Sequence, residues 1–290
     1  MTVIYVILLG ILQGILEFLP VSSFGHVHML ERVFGIHMSA DILFETMLHV
    51  GTLAAILYSF QKDVRRIAAE TVGMAGDVLH NVRIYMNRRK QKEVVYVRVV
   101  NSVYRRFTFM LILTSIPTAL LGFTARRLVR LSAGARFVPG ICMLLTGVFL
   151  IVIDFSGISG KRTPRDAGYH TALWIGIFQG LSVFPGLSRM GLTVGTGILC
   201  GLSRRTAVRY SILASLPAVI GAMLVEAPSF AAQSVSLQEG AYCVLGMIAA
   251  GVTGVLAIQA VTKLMNSLRF RYFAVYCFIA GAAFLAIGLG

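Results

Sequence analysis

The chain has 290 residues, of which 57% are hydrophobic and only 13% are charged, with a mean hydropathy of +0.81. The charged share is about half that of a soluble domain, which excludes a water-soluble globular protein and indicates an integral membrane protein. The formal net charge of +14 does not indicate a nucleic-acid-binding protein, because the positive residues follow the loops between apolar segments.

The first apolar segment, about 1–30, contains polar residues and a proline where a membrane helix normally has neither. Pro20 ends its first half, and Ser22 or Ser23 can cap the helix that follows. A helix that restarts at membrane depth presents free backbone amides, which attract an anion. We therefore predict a re-entrant hairpin that enters and leaves the membrane on one side.

Ionisable and amide side chains lie close to this break. Glu17 stands in an apolar run, where an ionisable residue indicates either a functional site or an internal salt bridge. His26 follows three residues after the two serines, which favours a site residue over an ordinary core histidine. Gln13 can hydrogen-bond to the opposite hairpin. In the next span, Glu45 and His49 lie one turn apart and either face one cavity or form a packed pair.

Six apolar stretches are long enough to cross a membrane as helices. They are predicted near 42–60, 107–124, 137–154, 207–226, 241–261 and 272–289. The stretch 61–106 between the first two carries eleven basic residues, and we interpret it as a cytoplasmic loop with an amphipathic portion. The rule that positive loops stay in the cytoplasm explains this charge, and contact with anionic lipid head groups is the alternative.

A second interrupted segment, about 172–202, repeats the first at a shift of 166 residues. Seven positions are identical: Gly10/Gly176, Ile11/Ile177, Gln13/Gln179, Gly14/Gly180, Phe18/Phe184, Ser22/Ser188 and Gly25/Gly191. Pro185-Gly186 forms the break, and Ser188 occupies the capping position that matches Ser22. Paired interrupted segments of this kind are typical of inverted repeats with an anion site near the membrane midplane.

Arg189 lies at the tip of this second hairpin. A buried charge costs on the order of 3 kcal/mol there, so this arginine is either functional or held by a structural partner. Its guanidinium can form a bidentate fork with phosphate, and Ser188 and Thr193 offer further hydrogen bonds to phosphate oxygens. We expect one outward-opening cavity of diphosphate size, lined by Glu17, Ser23, His26, Ser188 and Arg189.

The placement of lysine and arginine sets the orientation in the membrane. With six spans and two hairpins, 20 of the 26 basic residues fall on one side, which is then the cytoplasm. Both termini and the stretch 227–240 fall outside. Four arginines also fall outside, against the rule: Arg126, Arg127, Arg130 and Arg136.

The predicted fold is an all-α integral membrane protein with six transmembrane helices plus two re-entrant broken-helix hairpins in an inverted repeat. It forms a single membrane domain over 1–290, because the halves of such repeats share one core. We place the repeat halves at about 1–125 and 137–290, with the cytoplasmic basic loop 61–106 as the main insertion.

Two motifs resemble one known family. Residues 13–26 (QGILEFLPVSSFGH) and 185–193 (PGLSRMGLT) resemble signatures of the undecaprenyl pyrophosphate phosphatases, the bacitracin-resistance family. Stretches within 44–52 and 201–217 are similar too, so the resemblance covers essentially the whole chain. Phe24 stands where the family usually has a small residue and Met190 where it has serine, which puts efficiency or substrate choice in question.

The resemblance implies a membrane-embedded phosphatase that hydrolyses undecaprenyl (polyprenyl) diphosphate to the monophosphate plus inorganic phosphate. Such an enzyme recycles the lipid carrier of cell-wall synthesis in the bacterial cytoplasmic (inner) membrane and confers bacitracin resistance. The catalytic residues that it implies are Glu17, Ser23, His26 and Arg189. The implied substrate-binding residues are Gln13, Ser22, Glu45, Ser188 and Thr193.

Several roles stay open on the sequence alone. The nucleophile is Ser23, His26 or water, and Glu17 either orients the attacking group or binds a divalent cation, Mg²⁺ or Ca²⁺. The expected partners are the polyprenyl diphosphate lipid and the membrane, without nucleic acid, and a homodimer is left open. A polyprenyl-phosphate flippase is the alternative function, because inverted repeats with a midplane anion site are typical of transporters. A phosphatase-like protein that has lost its activity is a third interpretation.

The predicted orientation can be tested by cysteine labelling of intact cells. In a cysteine-free background, a membrane-impermeant maleimide should modify Ser234→Cys and leave Gln91→Cys unmodified until the cells are opened, because basic loops stay in the cytoplasm. Labelling of Gln91→Cys, but not of Ser234→Cys, from the outside would reverse the orientation.

Overall fold

The protein is a bundle of α-helices. A computed structural model describes residues 3–35, 41–87, 95–158, 160–231, 235–264 and 269–289, so Gln91 and Ser234 lie outside the described ranges. Within these ranges the chain forms eleven helices and no β-strand. In chain order the helices are α1 (Val3–Leu16), α2 (Ser23–Val33), α3 (Asp41–Ser59), α4 (Gln61–Met86), α5 (Val103–Gly134), α6 (Val138–Phe155), α7 (Tyr169–Leu181), α8 (Arg189–Leu199), α9 (Arg204–Ala231), α10 (Leu237–Leu264) and α11 (Phe270–Leu289).

Six of these helices are long and apolar enough to cross a membrane, which confirms the predicted number of spans. The apolar stretches are Ile42–Ser59, Val103–Ala125, Val138–Phe155, Arg204–Ser229, Leu237–Leu264 and Phe270–Gly288. Several start or end a few residues outside the predicted limits, because a helix continues its backbone hydrogen bonds beyond the apolar stretch. The chain is therefore an all-α, multi-pass membrane protein.

Each predicted hairpin consists of two short helices separated by a break. The helices α1 and α2 flank residues 17–22, and α7 and α8 flank residues 182–188. None of the four reaches the ~20 residues that a helix needs to cross the hydrocarbon core. Moved by 166 residues, the limits of α2 become those of α8, so the repeat in the sequence is also a repeat of secondary structure.

The basic segment 61–106 contains a helix, because residues 61–86 form α4, which is consistent with the amphipathic portion predicted there. Its cytoplasmic location stays a prediction. The inner face of α4 is held by tertiary contacts. Met74 is buried, and Val64 and Ile67 pack against the core. Arg105 at the start of α5 forms ion pairs with two carboxylates of α4, Glu70 and Asp77.

The two halves of the chain pack into each other. The most extensive contact of α1 is with α10 of the second half, and its repeat counterpart α7 contacts α5 of the first half in the same way. α3 also packs closely on α10, and α6 packs on α11. Each first limb of a hairpin is therefore held by a span from the other half. The exact limits of the repeat halves stay a prediction.

Glycines allow the backbones around α10 to approach closely. A Cβ placed on Gly14 would lie 2.5 Å from the carbonyl oxygen of Ala250, and one on Gly51 would lie 2.2 Å from that of Met247. Small residues at such crossings are how membrane helices gain van der Waals contact without a hydrophobic driving force. Helix α10 is thus the element against which both α1 and α3 are positioned.

We predict that Gly14→Ala destabilises the protein, since the new methyl group would overlap a backbone carbonyl. Overpacking of this kind costs about 1–3 kcal/mol, which should lower the Tm of the detergent-solubilised protein by several degrees. Gly221→Ala is the matched control, because a Cβ there meets nothing within 4 Å. An equal Tm for the two variants would contradict the close packing of α1 on α10.

Candidate active site

The second helix of each hairpin begins with the same serine cap. Ser22 Oγ accepts a hydrogen bond from the backbone N–H of Gly25 at 3.2 Å. Ser188 Oγ accepts one from Gly191 at 3.0 Å. These pairs are related by the shift of 166 residues, which confirms the predicted equivalence of the two serines. Each cap satisfies one amide of the first turn and leaves others available to a ligand.

The break in the second hairpin depends on one glycine. Gly186 has φ +99°, a left-handed conformation that glycine adopts without a steric penalty. A Cβ on this residue would also lie 2.2 Å from the carbonyl oxygen of Pro139. Two residues further on, the backbone N–H of Ser188 donates to Thr146 Oγ1 at 3.1 Å. These contacts fix where α8 begins and hence the position of Arg189.

The two breaks touch each other in a nearly symmetric way. A Cβ on Gly25 would lie 3.3 Å from Cα of Gly186, and a Cβ on Gly191 would lie 3.4 Å from the carbonyl oxygen of Pro20. Gly25 and Gly191 correspond in the repeat, as do Pro20 and Gly186. The structure therefore brings the two hairpin tips into contact, each with the start of its helix against the break of the other.

Glu17 joins the two hairpins chemically. Its carboxylate oxygen Oε1 accepts a hydrogen bond from Arg189 Nη2 at 2.9 Å, across 172 residues of sequence. The other oxygen, Oε2, accepts one from Ser23 Oγ at 2.5 Å. The Glu17 side chain is only 7% exposed and that of Arg189 is 18% exposed, so this is a largely buried ion pair. The hydroxyl of Ser23, the carboxylate of Glu17 and the guanidinium of Arg189 are thus in direct contact.

Gln13 and His49 complete the surroundings of this carboxylate. Gln13 Nε2 donates to Glu17 Oε2 at 3.0 Å and lies 3.3 Å from His49 Nδ1. His49 Nδ1 is 3.9 Å from Glu17 Oε1. An amide nitrogen carries two hydrogens, so Gln13 can serve the carboxylate and the imidazole together when His49 carries its proton on Nε2. Glu17 therefore has four polar neighbours, one each from α1, α2, α3 and α8.

His26 lies close in sequence but is engaged elsewhere. Its Nδ1 is 2.6 Å from the backbone oxygen of Ser22, which can only accept, so Nδ1 carries the hydrogen. Its Nε2 is 2.7 Å from Tyr276 Oη, and the two rings are stacked. In the neutral tautomer, Tyr276 donates to Nε2. The ring has no hydrogen bond to Glu17 or Arg189 in this arrangement.

Two other predicted site residues also have different neighbours. Glu45 lies 3.3 Å from His28 Nδ1, in a group with Glu31. Thr193 Oγ1 donates to the backbone oxygen of Arg189 at 2.7 Å and pairs with the hydroxyl of Ser211. The structure thus joins Gln13, Glu17, Ser23 and Arg189 by side-chain hydrogen bonds and holds Ser22 and Ser188 as caps beside them. The substrate-binding roles of Glu45 and Thr193 stay predictions. The single cavity of diphosphate size stays a prediction.

Two neighbours of the site residues were not predicted as such. The sequence marks His49 as a candidate, since it is an ionisable residue in an apolar span one turn after Glu45, but it does not predict that His49 lies beside Glu17. Nothing in the sequence marks Tyr276, because a tyrosine in an apolar span is common and its partner His26 lies 250 positions earlier. Met190, flagged as a departure in the second motif, accepts a hydrogen bond from Ser211 on its sulfur at 3.2 Å.

Comparison with known proteins gives one consistent result. Residues 6–283 match the family model described as "Bacitracin resistance protein BacA". A protein of Methanosphaera stadtmanae named undecaprenyl-diphosphatase is 35% identical over 275 residues, which cover 95% of this chain and 94% of that protein. Proteins of the same name from Desulfosudis oleivorans and Desulforapulum autotrophicum are 35% and 33% identical, and the aligned parts cover 97–98% of this chain and 97% of each relative.

We predict that Glu17 and Arg189 are energetically coupled. Glu17→Gln should lower the free energy of unfolding by about 3–5 kcal/mol, because it leaves a guanidinium buried without its carboxylate. The double variant Glu17→Gln/Arg189→Gln should be more stable than Glu17→Gln alone, which unfolding in detergent micelles would measure.

The ion pair between Asp63 and Arg209 is the control for this cycle, since the arginine side chain there is 49% exposed. Asp63→Asn should cost no more than about 1 kcal/mol. A double variant at Glu17 and Arg189 that is no more stable than Glu17→Gln would argue against the buried pair.

Proposed function

The chain belongs to the bacitracin resistance protein BacA family, and on that premise we propose that it hydrolyses undecaprenyl diphosphate to undecaprenyl phosphate and inorganic phosphate. The enzyme is then a membrane-embedded hydrolase that returns a lipid carrier to peptidoglycan synthesis and gives resistance to bacitracin. One observation supports this chemistry above the others: the carboxylate of Glu17 binds both the hydroxyl of Ser23 and the guanidinium of Arg189.

In the proposed reaction, Arg189 binds the terminal phosphoryl group of the lipid diphosphate. Its hydrogen bond to Glu17 uses Nη2, and the other N–H groups of the guanidinium are oriented by that contact. The first-turn amides of α2 and α8 add partial positive charge, since both helices start at the meeting point of the two breaks. Charge neutralisation and positioning are what phosphoryl transfer chiefly requires.

We propose Ser23 as the nucleophile. Its Oγ already donates to Glu17 Oε2, so the carboxylate can accept the proton as the oxygen attacks the terminal phosphorus. The bond between that phosphorus and the bridging oxygen breaks, Glu17 passes its proton to that oxygen, and the lipid monophosphate leaves while Glu17 returns to the carboxylate form. Water then hydrolyses the phosphoserine with Glu17 again as the base, which releases inorganic phosphate and restores the serine hydroxyl.

His26 is the rival nucleophile, and in this proposal it serves as an acid–base residue one turn along α2. Both of its nitrogens have partners, Ser22 O and Tyr276 Oη, which is unfavourable for direct attack. The two candidates differ in the stability of the trapped enzyme. A phosphoserine survives acid, whereas a phosphohistidine is hydrolysed, so acid quenching of enzyme incubated with terminally labelled substrate distinguishes them.

A requirement for Mg²⁺ or Ca²⁺ stays part of the proposal, but the surroundings of Glu17 do not fit such an ion. Both carboxylate oxygens accept hydrogen bonds, and the adjacent guanidinium repels a cation. Among the described residues, His28, Glu31 and Glu45 bring three ligand atoms within 4.8 Å of one another and offer two carboxylates and an imidazole. No step of the mechanism above passes through a metal.

The remaining predicted residues take supporting roles in this scheme. Gln13 orients Glu17, and the serine caps Ser22 and Ser188 set the directions of the first-turn amides. We further propose that the protein lies in the bacterial inner membrane with this site facing outward and both termini outside, as the basic loops suggest. A homodimer is also a proposal, which cross-linking in native membranes would test.

The direct test is phosphate release from a short-chain polyprenyl diphosphate by the purified protein, with and without a chelator. We expect release of one inorganic phosphate per lipid monophosphate. Loss of release on chelation and its recovery with Mg²⁺ or Ca²⁺ would support the cation requirement. No release under any metal condition would overturn the proposed function.

We predict that Arg189→Lys is almost as damaging as Arg189→Ala. Lysine keeps the positive charge but loses the planar fork, and turnover should fall at least ~10²-fold, as when one oriented donor is removed from a reacting centre. Phosphate release at saturating substrate measures this effect. Near-normal turnover in Arg189→Lys would show that Arg189 acts only as a structural partner of Glu17.

A further inference from the structure

A second polar site lies at the opposite end of the α7–α8 hairpin from the catalytic break. An open pocket of about 630 Å³ forms between Ile158, residues 160–162, the first turns of α7 and residues 199–201 at the end of α8. Helix α8 has 11 residues, which places this pocket roughly 16 Å along the helix from Arg189. It therefore shares no side chain with the site around Glu17.

The pocket is lined by cationic and aromatic side chains. Lys161, Arg162 and His170 line it together with the indole of Trp174, and no carboxylate is among the lining residues. Within the part of the chain that the structure describes, Lys161 and Arg162 form no ion pair. Arg162 makes one long hydrogen bond, from Nη1 to the backbone oxygen of Cys200 at 3.4 Å. Its remaining donors are available to an anion.

The loop that carries these cations is held in place by backbone contacts. The N–H of Arg162 donates to the oxygen of Gly201 at 3.0 Å, and its own oxygen accepts from Ser203 at 3.1 Å. A Cβ on Gly160 would lie 2.2 Å from the oxygen of Leu202, so loop and helix end approach as closely as a glycine allows. A preformed site of this kind loses little conformational freedom when a ligand binds.

The pocket lies at one end of the helices that are long and apolar enough to span a membrane, and from this we infer a position near the lipid head groups. It is bordered by the end of α6, the start of α7, the end of α8 and the start of α9, so it lies where chain segments turn between spans. Trp174, Tyr169 and Leu173 are each at least 38% exposed on the outside of α7. Aromatic residues are enriched at this depth, and basic residues on the predicted cytoplasmic side attract anionic lipids.

We propose that this pocket binds the phosphate head group of an anionic membrane phospholipid, with the acyl chains along the exposed face of α7. The ligand chemistry is a lipid phosphate held by Lys161 and Arg162, beside the indole of Trp174. The site is separate from the catalytic one, and the proposal does not depend on which reaction the enzyme performs. A lipid bound there would contact the end of the α7–α8 hairpin that is predicted to be cytoplasmic and would stabilise the position of α8.

Trp174 is the only tryptophan of the chain, so its fluorescence reports on this pocket alone. The purified full-length protein in neutral detergent is titrated with dioleoyl phosphatidic acid, with dioleoyl phosphatidylcholine and with inorganic phosphate, with excitation selective for tryptophan. We expect a saturable fluorescence change with phosphatidic acid and at least about fivefold weaker responses with the other two, because one basic contact is worth about that factor.

Three variants make the assignment specific. Lys161→Gln and Arg162→Gln should each weaken phosphatidic acid binding about fivefold. Arg165→Gln is the matched control, because this exposed arginine belongs to the same loop but does not line the pocket, and it should bind as the unmodified protein does. Unaltered binding in both glutamine variants, or an equal response to phosphatidylcholine, would overturn the proposal. Equally tight binding of inorganic phosphate would assign the pocket to the free ion and overturn the lipid assignment.

Discussion

The meeting of two broken helices is the constraint on which the rest of this structure depends. A helix that stops inside a membrane leaves backbone groups without water or intrahelical partners, and these must be satisfied within the protein. Serine caps satisfy part of the requirement at Ser22 and Ser188, and the two breaks lie in contact with each other. The amides without a partner can then bind an anion. The packing of the spans holds the two helix starts in this position.

The ion pair between Glu17 and Arg189 connects this constraint to chemistry. A buried pair is weak evidence for stability, since hydrophobic residues of similar volume often serve as well. Its presence between the hairpins fits the proposed function, in which this carboxylate orients the Ser23 hydroxyl for attack and the Arg189 guanidinium for binding phosphate.

The repeat explains why the two hairpins have the same backbone arrangement although their tips carry different side chains. The most extensive contact of each first limb is with a span from the other half, α1 on α10 and α7 on α5, so each hairpin depends on both halves. Equivalent positions have nevertheless diverged: Ser23 and Arg189 begin α2 and α8 at the same point of the repeat. The symmetric scaffold brings the tips together, and the asymmetric side chains give one tip a hydroxyl and the other a guanidinium.

The sequence by itself determined the class of protein, the six spans, the two breaks and their caps. These follow from local properties, namely apolar length, proline and glycine positions, and a repeat that can be read by alignment. It did not determine that 61–86 is helical, because Met74 and the carboxylates paired with Arg105 acquire their partners only on folding. It grouped Glu45, His26 and Thr193 with Glu17 but did not specify their contacts: Glu45 lies beside His28, His26 bonds to Ser22 and Tyr276, Thr193 bonds to the backbone of Arg189, and His49 lies beside Glu17. The rotation of each helix about its axis and the angles at which helices cross decide which side chains come into contact. The spacing of residues along one helix does not specify either quantity.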